Sequence, residues 1–304
     1  MTPSILFSQQ PVRGWLPWGL LVPLLAFGFR AVPSIGVGVL LEQNGLMDAR
    51  GPAGAAGVMT LLVTAFPLIA LITWAWVRGV ERRTLDTIGL VAPGGARRFV
   101  QGHLIGVGSL LGVVASIALL GGYQANGVLP GFSSATALGG VLLLLFGFAV
   151  QSSVEEVVFR GWMLSGIARK LNVPIAVLLT SLLFGFMHHS PDTPLAFAGT
   201  FMFSLFACCW VLRVGHVWGV MGWHSGWNWL LCTGFELPLS GTKPIEPALL
   251  THLVDRGPAL LTGGAYGPEA SALTIAALAL ASAALGFRPR LAARGGALHA
   301  PPPS

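Results

Sequence analysis

Residues 138–169 read LGGVLLLLFGFAVQSSVEEVVFRGWMLSGIAR, an apolar run with two adjacent carboxylates and an arginine set inside it. A membrane-spanning helix needs about 20 mostly apolar residues, and this run supplies them. The rest of the chain has the same character. Of 304 residues, 54% are apolar and only 9% charged, whereas a soluble globular chain is roughly 25% charged. Mean hydropathy is +0.76. So few charges cannot coat a water-soluble domain of this length, which excludes a soluble enzyme. The expected fold is all-α, a polytopic membrane helix bundle.

Seven further apolar stretches lie at 16–41, 54–77, 100–120, 173–189, 195–212, 217–232 and 271–286, giving about eight transmembrane helices. The connections at 78–99 and 121–137 carry Gly, Pro and polar clusters. The longest, 233–270, contains Pro238, Pro244, Pro247, Pro258 and Pro268 and reads as an extramembrane loop. Its 247–261 section is mildly amphipathic and suits a membrane surface. The organisation is then a short N-terminal arm (1–13), one membrane domain (14–287) and a Pro-rich, disordered tail (288–304). The first residues offer only Arg13 and no small-residue cleavage site, so the first apolar segment is expected to stay as a span.

The net charge is +6, yet the cations are scattered, with no basic run or helical face, which argues against a nucleic-acid partner. In a membrane protein they report topology. Arg13, Arg78, Arg82, Arg83, Arg97, Arg98, Arg169, Lys170, Arg213, Arg288, Arg290 and Arg294 fall on one side, and Arg50, Lys243 and Arg256 on the other. Positive loops stay cytoplasmic, so both termini are expected there. The Arg-over-Lys bias with abundant Ala and Gly points to a GC-rich, bacterial source and hence to its cytoplasmic membrane. Cys208, Cys209 and Cys232 all lie in apolar stretches, unlike a disulfide framework.

Only four charges fall well inside the spans: Arg30, Glu155, Glu156 and Arg160. Each costs about 2.5–3.5 kcal/mol at bilayer depth on insertion scales, so such residues persist where they pair or line a cavity. Glu156 and Arg160 are four apart with the acid first, the favourable order for a helical ion pair. Glu155 is turned about 100° away and faces Phe159. Left without a counter-ion in an apolar cavity, it would hold a proton more readily, as a general base should. Arg30 reads as a snorkelling residue in a Pro-broken helix, with binding of a substrate carboxylate as the second reading.

Two more polar sets follow. Phe184 and His188 share one helical face, as do His224 and Asn228. A lone intramembrane His is more often structural than catalytic. Two of them, with an Asn and a Glu from three helices, can surround a water or a metal. Ser225 points away from His224, so no nucleophilic Ser or Cys set competes. His103, His189 and His216 read as residues at headgroup level, and Trp210, Trp218, Trp223, Trp227 and Trp229 as belt and packing residues.

Glu155-Glu156-x-x-x-Arg160, Phe184-x-x-x-His188 and His224-x-x-x-Asn228, in this order on successive helices, resemble the three motifs of the CPBP family. These are the CAAX prenyl endopeptidase and bacteriocin-processing proteins, also called Abi or type II CAAX proteases. The resemblance covers about 138–232. It implies an integral membrane endopeptidase acting on a membrane-associated protein or peptide, lipidated substrates included. By that resemblance Glu155 activates the attacking water, His188, His224 and Asn228 complete the site, and Glu156 and Arg160 support it. Metal use stays open. Glu155, His188 and His224 could form a His₂Glu zinc set, but there is no HExxH and Asn is a poor zinc ligand. A glutamate-activated water without metal needs the same residues. A proton-coupled transporter or channel, and a non-catalytic scaffold or immunity protein, are the readings from other classes. One tension remains: His188 falls near the outer end of its span and the Glu pair nearer the cytoplasm. It requires either a long, tilted fourth helix or a chain break at Ser190-Pro191 within the membrane.

Overall fold

The computed structural model describes residues 7–8, 10–48, 51–190, 193–242 and 245–286. The tail 288–304, with its three arginines, lies outside them, as do Arg50, Pro191, Lys243 and most of the first seven residues. Each of the eight apolar stretches is helical. In chain order the helices are α1 (Leu21–Gln43), α2 (Gly54–Ala75), α3 (Gly95–Leu119), α4 (Ala135–Glu156), α5 (Leu164–Lys170), α6 (Val173–Met187), α7 (Pro194–Val214), α8 (Trp218–Gly234), the one-turn α9 (Ala259–Thr262) and α10 (Ala272–Leu285). Local chemistry sets several starts. The Ser134 side chain accepts from the Ala137 N–H before α4, and Asn172 accepts from the Ile175 N–H before α6; such caps satisfy otherwise orphaned first-turn amides.

Among the described residues five helices are long and apolar enough to cross a membrane: Leu21–Gln43, Gly54–Val80, Gly95–Leu119, Ala135–Lys170 and Pro194–Val214. The other three, α6, α8 and α10, have 15, 17 and 14 residues. At 1.5 Å per residue they rise about 21–26 Å, short of a hydrocarbon layer about 30 Å thick. The 36-residue helix Ala135–Lys170 is α4 and α5 joined without a break through a π-helical segment, Val157–Met163. A long fourth helix is one of the two arrangements that the offset between the Glu pair and His188 allowed. A π segment widens the helix locally and frequently marks a functional site; here it begins directly after Glu156 and contains Arg160.

The large apolar side chains left exposed lie along the outer faces of the bundle, among them Leu24, Phe27, Leu68, Leu104, Leu143 and Leu280. A lipid-facing surface has this character. Together with the helical content it identifies an all-α integral membrane protein.

The long connection after α8 is ordered by backbone pairing. Beyond the two-residue strands β1 (Met47–Asp48) and β2 (Gly51–Pro52), its strand β4 (His252–Asp255) runs antiparallel to a strand in the 121–137 connection, β3 (Tyr123–Asn126), with Tyr123 opposite Asp255. The N–H groups of Leu249, Leu250 and Leu253 donate to the carbonyls of Thr233, Gly234 and Phe235 at the end of α8. The 247–261 section therefore finds its partners in its own chain, where the sequence suggested an amphipathic surface segment.

α8 occupies the centre. All its residues except Trp218 and Trp229 are buried. It lies against α3 along a seam of glycines contributed by both helices. A Cβ at Gly102 or Gly106 of α3 would stand 2.0 and 2.1 Å from the carbonyl oxygens of Gly219 and Trp223. From the other side, a Cβ at Gly222 or Gly226 would stand 1.9 and 2.2 Å from those of Phe99 and His103. The two backbones touch directly, as helices do where small residues repeat every fourth position.

A second polar knot lies beyond α2. Arg83 is fully buried and pairs with Glu81 at 3.0 Å. It also donates to the Thr87 carbonyl and the Ser165 hydroxyl, while the indoles of Trp76 and Trp162 donate to Glu81. Sequence reading counted Arg83 as a loop cation reporting topology. Its charge is instead spent inside the fold, fastening the α2–α3 connection to α5.

Gly106→Val and Gly226→Val should each destabilise the bundle by at least the 1–3 kcal/mol typical of overpacking, because backbone atoms cannot yield as side chains do. Gly108→Ala, where a Cβ meets nothing within 4 Å, should be silent. Thermal unfolding in detergent checks both; a wild-type midpoint for Gly106→Val would refute the seam.

Candidate active site

The four intramembrane charges meet in one place. Glu155 and Glu156 end α4, about 100° apart around the helix, and the His224 ring from α8 sits between them. His224 Nδ1 lies 2.8 Å from Glu156 Oε1, and its Nε2 lies 3.9 Å from Glu155 Oε2. Glu156 Oε1 also accepts from Arg160 Nη1 at 3.0 Å, so the i,i+4 pair forms as its spacing suggests. Arg30 of α1 reaches Glu155 Oε1 through Nε at 3.4 Å. The sequence is thus Arg30, Glu155, His224, Glu156, Arg160, with cations at both ends.

Two expectations are corrected here. Glu155 is not without a counter-ion, because Arg30, 125 residues away in sequence, faces it. Arg30 does not snorkel to the interface; it turns into the bundle. The spacing of charges within one helix cannot reveal a partner delivered by another.

The hydrogen bonds fix the imidazole tautomers. An ionised carboxylate only accepts, so the short contact to Glu156 puts the proton on His224 Nδ1 and leaves Nε2 facing Glu155. His188 closes α6, and its Nδ1 lies 2.8 Å from the Phe184 carbonyl. A carbonyl also only accepts, so Nδ1 carries hydrogen there too and Nε2 is the open ring nitrogen. Phe184 does more than supply this carbonyl. Its ring stands 4.5 Å from the His188 ring, centroid to centroid, and 4.4 Å beneath the Arg160 guanidinium. A desolvated cation gains about 2 kcal/mol over an aromatic face, which helps explain how Arg160 tolerates full burial.

Asn228, one turn beyond His224, donates from Nδ2 to Gln151 Oε1 at 3.2 Å. Gln151 also accepts from Ser152, and it sits one turn before Glu155. Sequence reasoning passed over Gln151, although a polar QSS inside an apolar run was a usable signal. Glu155, His188, His224 and Asn228 line one cavity of about 440 Å³ with Arg30 and Gln151. Glu156 and Arg160 stand behind it and do not line it.

The connection after α8 completes the enclosure. Ser240, Tyr266 and Glu269 line the same cavity. The Tyr266 hydroxyl donates to the His188 carbonyl at 3.1 Å, and Glu269 accepts from both the N–H and the hydroxyl of Ser240. Burial pushes the Glu269 carboxyl above the usual carboxylate range. Nothing local in the sequence announced these three. On the far wall Val58, Leu61, Leu62 and Phe66 of α2 make an apolar side.

Zinc fits this arrangement poorly. Among the described residues no three His, Cys, Asp or Glu side chains are disposed to hold a metal ion. Glu155 is engaged by a guanidinium, whose charge opposes a second cation beside it, and Asn is a poor zinc ligand.

Residues 135–230, about a third of the chain, match the family Type II CAAX prenyl endopeptidase Rce1-like. No curated protein and no solved structure matches the chain. The matched span carries Glu155, Glu156, Arg160, His188, His224 and Asn228, whereas Arg30 and the residues of the 233–270 connection fall outside it. Over residues 135–230, the chain is thus similar to the type II CAAX prenyl endopeptidases.

Proposed function

We propose that the protein is an integral membrane endopeptidase that hydrolyses a peptide bond of a membrane-associated protein or peptide with a water activated by Glu155. One observation carries this reading. Glu155 Oε2 and His224 Nε2 stand 3.9 Å apart at the cavity wall, too far for a direct hydrogen bond and suited to a water held between them.

In this reading the water donates to Glu155 Oε2, which takes its proton as the oxygen attacks the carbonyl carbon. The water's other hydrogen is donated to His224 Nε2, which orients the water, and His188 borders the same space. The second Nδ2 hydrogen of Asn228 and the Arg30 guanidinium donate to the developing oxyanion. Glu155 then returns its proton to the leaving amine, so one water is consumed and the ends of the cut chain are a carboxylate and an amine. Glu156 and Arg160 are positioning residues: the first fixes the His224 tautomer, and the second holds the first in place. The apolar α2 wall suits a substrate segment with a lipid-like or hydrophobic side chain.

Glu155→Gln should lower kcat by about 10²–10⁴ on a lipidated peptide in detergent while the protein stays folded. Turnover near wild type would remove Glu155 as the base. Treatment with a chelator should leave turnover unchanged; a loss restored by zinc would move the activity to a metal centre.

Removing one partner of a buried ion pair typically costs 3–5 kcal/mol, because the other charge is stranded. Glu156→Met and Arg160→Met alone should therefore both reduce stability. The double substitution should recover much of the loss, which a double-mutant cycle measures. Activity should not return with it, because His224 Nδ1 still lacks its carboxylate. Simple additivity in stability would deny the pair, and full activity in the double variant would deny the role given to Glu156.

A further inference from the structure

A second cavity of about 450 Å³ lies away from the proposed active site, between α3, α7 and the turn joining α7 to α8. Arg98 and Gln101 from the first two turns of α3, Arg213 from the last turn of α7 and His216 from the turn surround it. Among the described residues no acidic side chain lines it, and neither Arg98 nor Arg213 has an ion pair. Gly102 and Gly219, where α3 meets α8, form part of its lining.

Its depth in the membrane follows from its neighbours. Arg98 and Arg213 sit at the same end of two helices that each have the length of a span. Trp210 lines the cavity, and the Trp218 indole beside it is tied to the Leu90 carbonyl. Trp and Arg together mark the headgroup level of a bilayer. Ile105 lines the cavity, and beside it the exposed Leu104 and Leu111, seven residues apart on one face of α3, form an apolar track towards the bilayer interior. Two guanidiniums converging at headgroup level, with an apolar track leading inward, match a phosphate that carries acyl chains.

We propose that this cavity binds a phosphate group, and that the phosphate is the headgroup of an anionic phospholipid whose chain passes from Ile105 onto Leu104 and Leu111. Arg98 and Arg213 contact the phosphate oxygens, and Gln101 donates from the rim. A soluble phosphate presents the same oxygens but makes no use of the apolar track.

The test is native mass spectrometry of delipidated wild-type protein titrated with dioleoylphosphatidylglycerol, dioleoylphosphatidylcholine or inorganic phosphate. The phosphatidylglycerol adduct should form in clear preference to the phosphatidylcholine adduct. Arg213→Gln, on an exposed side chain, should weaken it about fivefold, and Arg98→Gln/Arg213→Gln further, at roughly one such factor per arginine. Arg97→Gln, next in sequence but outside the cavity, should leave the preference intact. Equal binding of the two lipids, or a preference surviving in both Arg213→Gln and the double variant, would overturn the site. Displacement of phosphatidylglycerol by an equal concentration of inorganic phosphate would overturn the lipid as the source.

Discussion

The row Arg30–Glu155–His224–Glu156–Arg160 is the interaction on which the rest of the molecule depends. Two carboxylates on consecutive residues would repel each other anywhere, and far more in a medium of low dielectric constant. Three features make them tolerable. The helix splays them, an imidazole enters between them, and a guanidinium closes each end. With His224 neutral, the row carries no net charge. That balance needs α1, α4 and α8 in fixed positions, so the polar row and the packing of the bundle are one constraint.

The π segment after Glu156 belongs to the same constraint. It brings Arg160 back to Glu156 while presenting its guanidinium to the face of Phe184, and Phe184 supplies the carbonyl that holds His188. Each member of the three sequence motifs therefore has a separate mechanical task. Glu155, Phe184, His188, His224 and Asn228 open onto the cavity, whereas Glu156 and Arg160 hold them from behind.

Much of this was legible beforehand. The helical character of the apolar runs followed from their composition, and the Glu156–Arg160 pair from its spacing. The shared faces of Phe184 with His188 and of His224 with Asn228 followed from helical period alone. What escaped notice came from elsewhere in the chain. Arg30 was read as snorkelling because its partner lies on α4, and Arg83 as a topological cation because Glu81 and the two indoles bury it. Tyr266 and Glu269 reach the cavity through a Pro-rich connection whose path is set by β3 and the end of α8, and no periodicity encodes that path. Gly102-x-x-x-Gly106 and Gly222-x-x-x-Gly226 were visible as patterns, but that they face each other depends on tertiary pairing.

The glycine seam has a consequence for precision. Between most packed helices, interlocking side chains hop among rotamers, and that hopping blurs the distance between the axes. At Gly102, Gly106, Gly222 and Gly226 there are no rotamers to hop. The separation of α3 and α8 is set by bond lengths and van der Waals radii of the main chain, the least compliant parts of a protein. His224 and Asn228 ride on the face of α8 away from that contact, so the seam acts as a fixed datum from which their positions are measured, and thermal jitter at the cavity must enter from its other walls.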